Sequence, residues 1–166
     1  EDPGSHQLNA KNLVALINAG ATGKLHIHGH GFLPLWVLED SSFTAEHVGQ
    51  LTNEAAYPLI TTVSCFTGHF DAAEDPCITE SMLRKPKAGA IAIVAPCREG
   101  KPPFLDPRND FRLMVKEGKL DGTTMTMALF WQKGIGESLT TGEAIMKAKA
   151  DLAEKAKESD SFHMCL

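Results

Sequence analysis

The sequence predicts an α/β fold: a mainly parallel sheet with helices on both faces. Two observations carry this. Segments with helical spacing alternate with segments of strand character along the chain. The strand-like segments are also apolar along their whole length, as expected when a strand is covered on both sides. The 166 residues, 43% hydrophobic and 22% charged, are read as one domain, 1–166. A chain of that size buries about two-thirds of its unfolded surface.

Taken in order, residues 8–19 (LNAKNLVALINA) set Leu8, Leu13, Leu16 and Ile17 near helical spacing, and Gly20 stops the run. GKLHIHGHG then reads as a strand ending at Gly29 or His30. Residues 41–53 (SSFTAEHVGQLTN) predict a helix capped by Ser42 or Thr44, with Val48 and Leu51 facing inward. Pro58 breaks it, and the β-branched PLITTVSC is the next buried strand. Pro76 suits the first turn of a helix over PCITESMLRK, and KAGAIAIVAP is a third apolar strand. PCREGKPPFLDPRND holds four prolines and a glycine and predicts a surface loop. Helices are expected at 109–118, 123–133 and 139–158, and a final strand at SFHMCL.

The bulk properties exclude several functions. Net charge is −5 with scattered basic residues, whereas nucleic-acid binding needs concentrated positive charge. The longest strongly apolar run, AGAIAIVA, spans eight residues, too short to cross a bilayer. The polar start EDPGSHQ shows no signal-peptide core, and the missing initiator Met leads us to expect a piece of a longer protein. The four cysteines, Cys65, Cys77, Cys97 and Cys165, form no CxxC pair, so neither a zinc ribbon nor a dense disulfide scaffold is indicated.

In a parallel sheet of this kind the working site lies beyond the carboxyl ends of the strands. The first strand ends in Gly29-His30-Gly31, the second in Cys65, the third near Pro96-Cys97. If the first two strands are neighbours, the His30 imidazole and the Cys65 thiol emerge on one rim. A histidine beside a thiol takes its proton and later protonates a leaving amine. The N–H groups of Gly31 and Cys65 are then placed to face a developing oxyanion. A second reading is metal binding. His26, His28 and His30 alternate, so they share one strand face, and His69 or Asp71 is a candidate fourth ligand. On a strand buried on both faces, however, His26 and His28 are expected beneath helices, hydrogen-bonded in the core.

Five segments in order, GHGFLPLW, TAEHVGQLTN, VSCFTGHFD, DPCITESMLR and GAIAIVAP, resemble the gingipain-type cysteine peptidases, a family with the caspase-like fold. The likeness is close over residues 24–96 and loose beyond. It implies a cysteine endopeptidase in which a Cys–His dyad hydrolyses peptide bonds through a thioester acyl-enzyme. His30 matches the family histidine, Cys65 the nucleophile of C-x-x-G-x-F, and Gly31 with the Cys65 amide the oxyanion hole. His69 stands where family members commonly carry an acid. Cys77 matches a structural position, and Cys97 is kept as an alternative nucleophile. The loop 97–108 is expected to line the S1 pocket, with Cys97, Arg98 and Phe104 as substrate-binding residues and Trp36 as a further wall.

The resemblance further implies a polypeptide substrate, no cofactor for catalysis and an exported or cell-envelope location. Structural calcium is a family possibility, for which Asp40, Asp71 and Asp75 are the loop acids. The family's catalytic unit is longer than this chain. The chain therefore reads as its C-terminal portion, with the missing N-terminal part as a partner. The alternatives are a catalytically degenerate caspase-fold binding or structural domain, and a histidine-ligated metal protein.

Overall fold

The computed structural model describes residues 7–73, 76–99, 122–155 and 164–165. Its elements are α1 (Ala10–Asn18), β1 (Lys24–Ile27), β2 (Gly31–Phe32), β3 (Leu35–Val37), β4 (Ser42–Thr44), α2 (Ala45–Gly49), β5 (Leu59–Thr62), α3 (Ile78–Arg84), β6 (Ala92–Pro96), α4 (Gly122–Gly136), α5 (Thr141–Lys155) and β7 (Met164–Cys165). The main sheet has the order β1-β5-β6-β7. β1 and β5 run parallel in the register Ile27↔Thr62, and β5 and β6 run parallel in the register Ile60↔Ile93. β7 lies antiparallel on β6. The α/β class with a mainly parallel sheet is therefore what the structure shows.

The continuous apolar strands are covered on both faces. Ile27, Ile60, Ile93 and Ala95 pack with α1, α2 and α3 through Leu13, Ile17, Val48, Ile78 and Met82. Val94, Leu59 and Val63 pack on the other face against α4 and α5 through Met125, Phe130, Ile145 and Ala148. Successive side chains of β5 and β6 thus alternate between two cores, so both sides of the strand must be apolar.

A second sheet, β2-β3-β4, is antiparallel. Leu33 and Pro34 form the two-residue turn between the paired Phe32 and Leu35. The expected helix over 41–53 shortens to α2 because Ser42–Thr44 pairs with β3. Trp36 and Phe43 stack inside this sheet at 5.4 Å, both fully buried. The helix expected at 109–118 and residue Asp75 lie outside the described residues.

β1 is the edge strand of the described sheet, and this corrects the expectation for two histidines. His26 and His28 are exposed rather than buried beneath helices. Trp131 of α4 reaches this edge, with Lys24 Nζ 5.7 Å from its ring centroid. Its indole N–H donates to Thr61 Oγ1 at 3.1 Å, and Thr61 Oγ1 pairs with His26 Nδ1 at 2.8 Å. Thr61 Oγ1 thus bridges the indole and the imidazole. Desolvation on that side, then the neighbouring His28, lowers the His26 pKa.

The end of α3 is joined to the sheet through one buried amide. Asn53 Nδ2 donates to the carbonyls of Ala56 and Gly89, each at 2.9 Å, and Asn53 Oδ1 accepts from the Gly89 N–H at 2.8 Å. Gly89 has φ +96°, and a Cβ there would lie 2.1 Å from the Met82 carbonyl oxygen. Asn53→Ala strands both backbone groups of a residue that cannot move. It is expected to lower stability by about 2–4 kcal/mol, read from denaturant melts; a change under about 0.5 kcal/mol would show that the clamp does not hold this junction.

Candidate active site

The sheet register builds the site. Ile27 pairs with Thr62, and the Val63 N–H donates to the Ile27 carbonyl at 3.2 Å. His30 and Cys65 stand three residues beyond the two members of that pair, on the same carboxyl rim. The Gly29-His30-Gly31 turn then folds against the turn that follows Cys65. A Cβ built on Gly31 would lie 2.6 Å from Thr67 Cγ2, 2.7 Å from Ser64 Cβ and 2.9 Å from the Cys65 carbonyl oxygen. Only a residue without a side chain admits this approach. His30 is exposed and Cys65 half-buried, and Cys65 lies outside any disulfide. Neither group is sealed beneath packed side chains.

Val37 N–H donates to the His30 carbonyl at 3.0 Å, so His30 and Val37 form a hydrogen-bonded pair. The next pair, Gly31↔Trp36, is then non-hydrogen-bonded, and the Gly31 N–H points away from β3. That leaves the amide turned outward beside Cys65.

The loop after the thiol is tightly built. Phe66 adopts φ +59°, a left-handed conformation uncommon for a bulky residue. Thr67 Oγ1 donates to the Ser64 carbonyl at 2.7 Å, and Gly68 N–H donates to the Pro96 carbonyl at 2.8 Å. Ile78 N–H donates to the Leu33 carbonyl at 2.8 Å, so the β2–β3 turn, the thiol loop and the start of α3 meet at this rim. Cys77 is fully buried at the N-cap of α3, and burial pushes its thiol pKa up. It is structural, as the sequence indicates.

Several expected site residues take other positions. Trp36 is core, fully buried and stacked on Phe43. Cys97 is disulfide-bonded, which removes it as an alternative nucleophile and as a thiol contact for substrate. Arg98 spends its guanidinium within the protein: Nη1 and Nη2 donate to Asp71 Oδ1 and Oδ2 at 2.9 and 2.6 Å, and Nη1 also donates to the Cys97 carbonyl. It therefore does not present an unengaged cation to substrate. Phe104 lies outside the described residues. His69 Nε2 lies 3.3 Å from Asp71 Oδ1. The Arg98 hydrogen bonds hold the Asp71 carboxyl at about 2, well below the usual carboxylate range. With the pKa depressed, the pair's contribution is complete above the ordinary value and is lost only as pH falls toward about 2.

The metal reading finds no convergent donors. Among the described residues, no group of three or more His, Cys, Asp or Glu side chains gathers to hold an ion. His26 Nδ1 is committed to Thr61. Of the loop acids among the described residues, Asp40 accepts from Gln7 Nε2 and Asp71 is engaged by Arg98. Among the described residues, no helix is long and apolar enough to cross a membrane.

A strand-end imidazole and a strand-end thiol thus share one rim of the α/β sheet, with Gly31 packed against the Cys65 turn. The sequence profile of peptidase family C25 matches residues 2–166, and the chain belongs to that family, the gingipains. Membership supports a cysteine peptidase. Among solved structures, the complex of Porphyromonas gingivalis RgpB pro- and mature domains is similar at 25% identity and TM-score 0.61, over 95% of this chain and 33% of that one. A structure described as a protease is similar at 25% identity and TM-score 0.48, over 52% of this chain and 18% of that one. The chain thus spans a third or less of these relatives. No curated protein matches it.

Proposed function

We propose that the protein is a cysteine endopeptidase in which Cys65 and His30 form the catalytic dyad. The observation that carries this reading is the contact of Gly31 with the Cys65 carbonyl, in a register that sets His30 and Cys65 equally far beyond a paired Ile27 and Thr62. His30 takes the thiol proton, and the thiolate sulfur attacks the scissile carbonyl carbon. The Gly31 and Cys65 amides donate to the oxyanion. His30 then gives its proton to the leaving amine as the C–N bond breaks, leaving a thioester. His30 next deprotonates a water, which attacks the thioester and releases the acid and the thiol.

The substrate is a polypeptide, and the protein acts outside the cytoplasm or at the cell envelope, as gingipains do. The domain is the C-terminal portion of a longer catalytic unit, and the remainder supplies further walls of the specificity pocket. This chain spans only a third of the RgpB chain, as a part of a longer unit would. The same observation favours one rival, a catalytically silent member of the fold that serves as a binding or structural domain.

Alkylation separates the two. A peptidyl electrophile or iodoacetamide is expected to label Cys65 at least ten times faster than Cys77, whose burial raises its pKa. Peptide mapping of the labelled protein gives the ratio. Slow labelling at Cys65, matched to the denatured thiol, would favour the silent domain.

A further inference from the structure

The Cys65 loop does not stand on its own strand alone. Four contacts tie it to the end of β6. Gly68 N–H donates to the Pro96 carbonyl at 2.8 Å, and Phe66 N–H donates to the Arg98 carbonyl at 3.2 Å. The Arg98 guanidinium then returns across the gap to grip both oxygens of Asp71 at 2.9 and 2.6 Å. Gly68 also approaches Ala95 so closely that a Cβ there would lie 3.0 Å from the Ala95 carbonyl oxygen. The segment 96–98 therefore holds the thiol loop at its start by backbone and at its end by side chain.

The loop needs such a mount. Phe66, next to the thiol, sits at φ +59°, a conformation that persists only where surroundings impose it. An exposed ion pair is ordinarily worth little. This one differs in being bidentate, with its arginine tethered through Nη1 to the Cys97 carbonyl at 2.8 Å and its carboxylate shared with His69.

We propose that Arg98 and Asp71 are positioning residues: their ion pair fixes the loop that carries Cys65 in the geometry attack requires. This rests on the peptidase reading above for its consequence, and on the contacts alone for its mechanics. On this assignment both residues act through the loop rather than on substrate. Their loss therefore acts on the chemical step and leaves binding nearly intact.

The test uses Arg98→Gln, Asp71→Asn and the exchanged pair Asp71→Arg/Arg98→Asp. Two readouts are taken: turnover of a peptide-library substrate, and hydrogen exchange at the Phe66 and Gly68 amides. Each single variant is expected to lower kcat about tenfold or more with KM within about twofold. It should also speed exchange at both amides about tenfold, with Ile60 in β5 unchanged. The exchanged pair should recover most of both losses. A rise in KM at constant kcat would overturn the proposal and make Arg98 a substrate contact. Unchanged amide exchange would overturn it as well. If the wild type turns over no peptide, the peptidase reading fails, and the exchange rates alone then decide the mount.

Discussion

Replacing Cys65 by Ala, or His30 by Ala, is expected to lower kcat/KM for peptide hydrolysis at least about a thousandfold, and the double variant is expected to be no worse than either single one. The two groups act on one proton. Without the thiol there is nothing for the imidazole to activate. Without the imidazole the thiol lacks both its base and the acid for the leaving amine. A thousandfold loss is about 4 kcal/mol of transition-state stabilisation. Stability should change little for either variant, because His30 is exposed and Cys65 half-buried. The measurement is kcat/KM for wild type, both single variants and the double variant, on a substrate chosen by library cleavage and with melting curves taken in parallel. Losses that multiply in the double variant would mean two independent contributions and would remove the dyad. Activity retained in Cys65→Ala would remove the thiol mechanism altogether.

How much of this was legible in the sequence differs by residue. β5 and β6 were legible because each is apolar on both faces, which Ile60 and Val94 require by packing into opposite cores. His30 and Cys65 were legible because a parallel sheet gathers its strand ends, and glycine flanked the histidine. The second sheet was not. Its strands are two or three residues long, too short for a period to show, and Trp36 belongs to its interior. The exposure of His26 and His28 was missed because it depends on β1 lying at an edge of the described sheet, and a strand carries no local mark of its neighbours. Arg98 and Asp71 meet across two loops, where no periodicity sets the spacing. Phe66 is the hardest case: its backbone is left-handed while its N–H bonds the Arg98 carbonyl, and without a glycine there was no signal. The candidate thiol and imidazole could be read; what holds them could not.

The same distinction frames the second large effect, at a residue that carries no reactive group. Gly31→Ala adds one methyl at the point where the His30 turn meets the Cys65 turn. That methyl would sit 2.6 Å from Thr67 Cγ2, 2.7 Å from Ser64 Cβ and 2.9 Å from the Cys65 carbonyl oxygen. None of the three can retreat cheaply. Ser64 and Thr67 are fully buried, and Thr67 is held through its hydroxyl to the Ser64 carbonyl. The third is backbone. Relief must therefore come from parting the two turns, which moves the imidazole from the thiol and shifts the Gly31 amide. Overpacking of this kind costs about 1–3 kcal/mol. A displacement approaching 1 Å at the reacting groups costs about a hundredfold in rate. Gly31→Ala is therefore expected to lose about two decades of kcat/KM while remaining folded. Gly49→Ala supplies the control, since a Cβ there meets nothing within 4 Å and alanine favours the helix it ends. Steady-state kinetics and denaturant melts on the two variants give the comparison. If Gly31→Ala behaves like Gly49→Ala in both, the two turns are not in the contact that brings His30 to Cys65, and the catalytic assignment loses its structural basis.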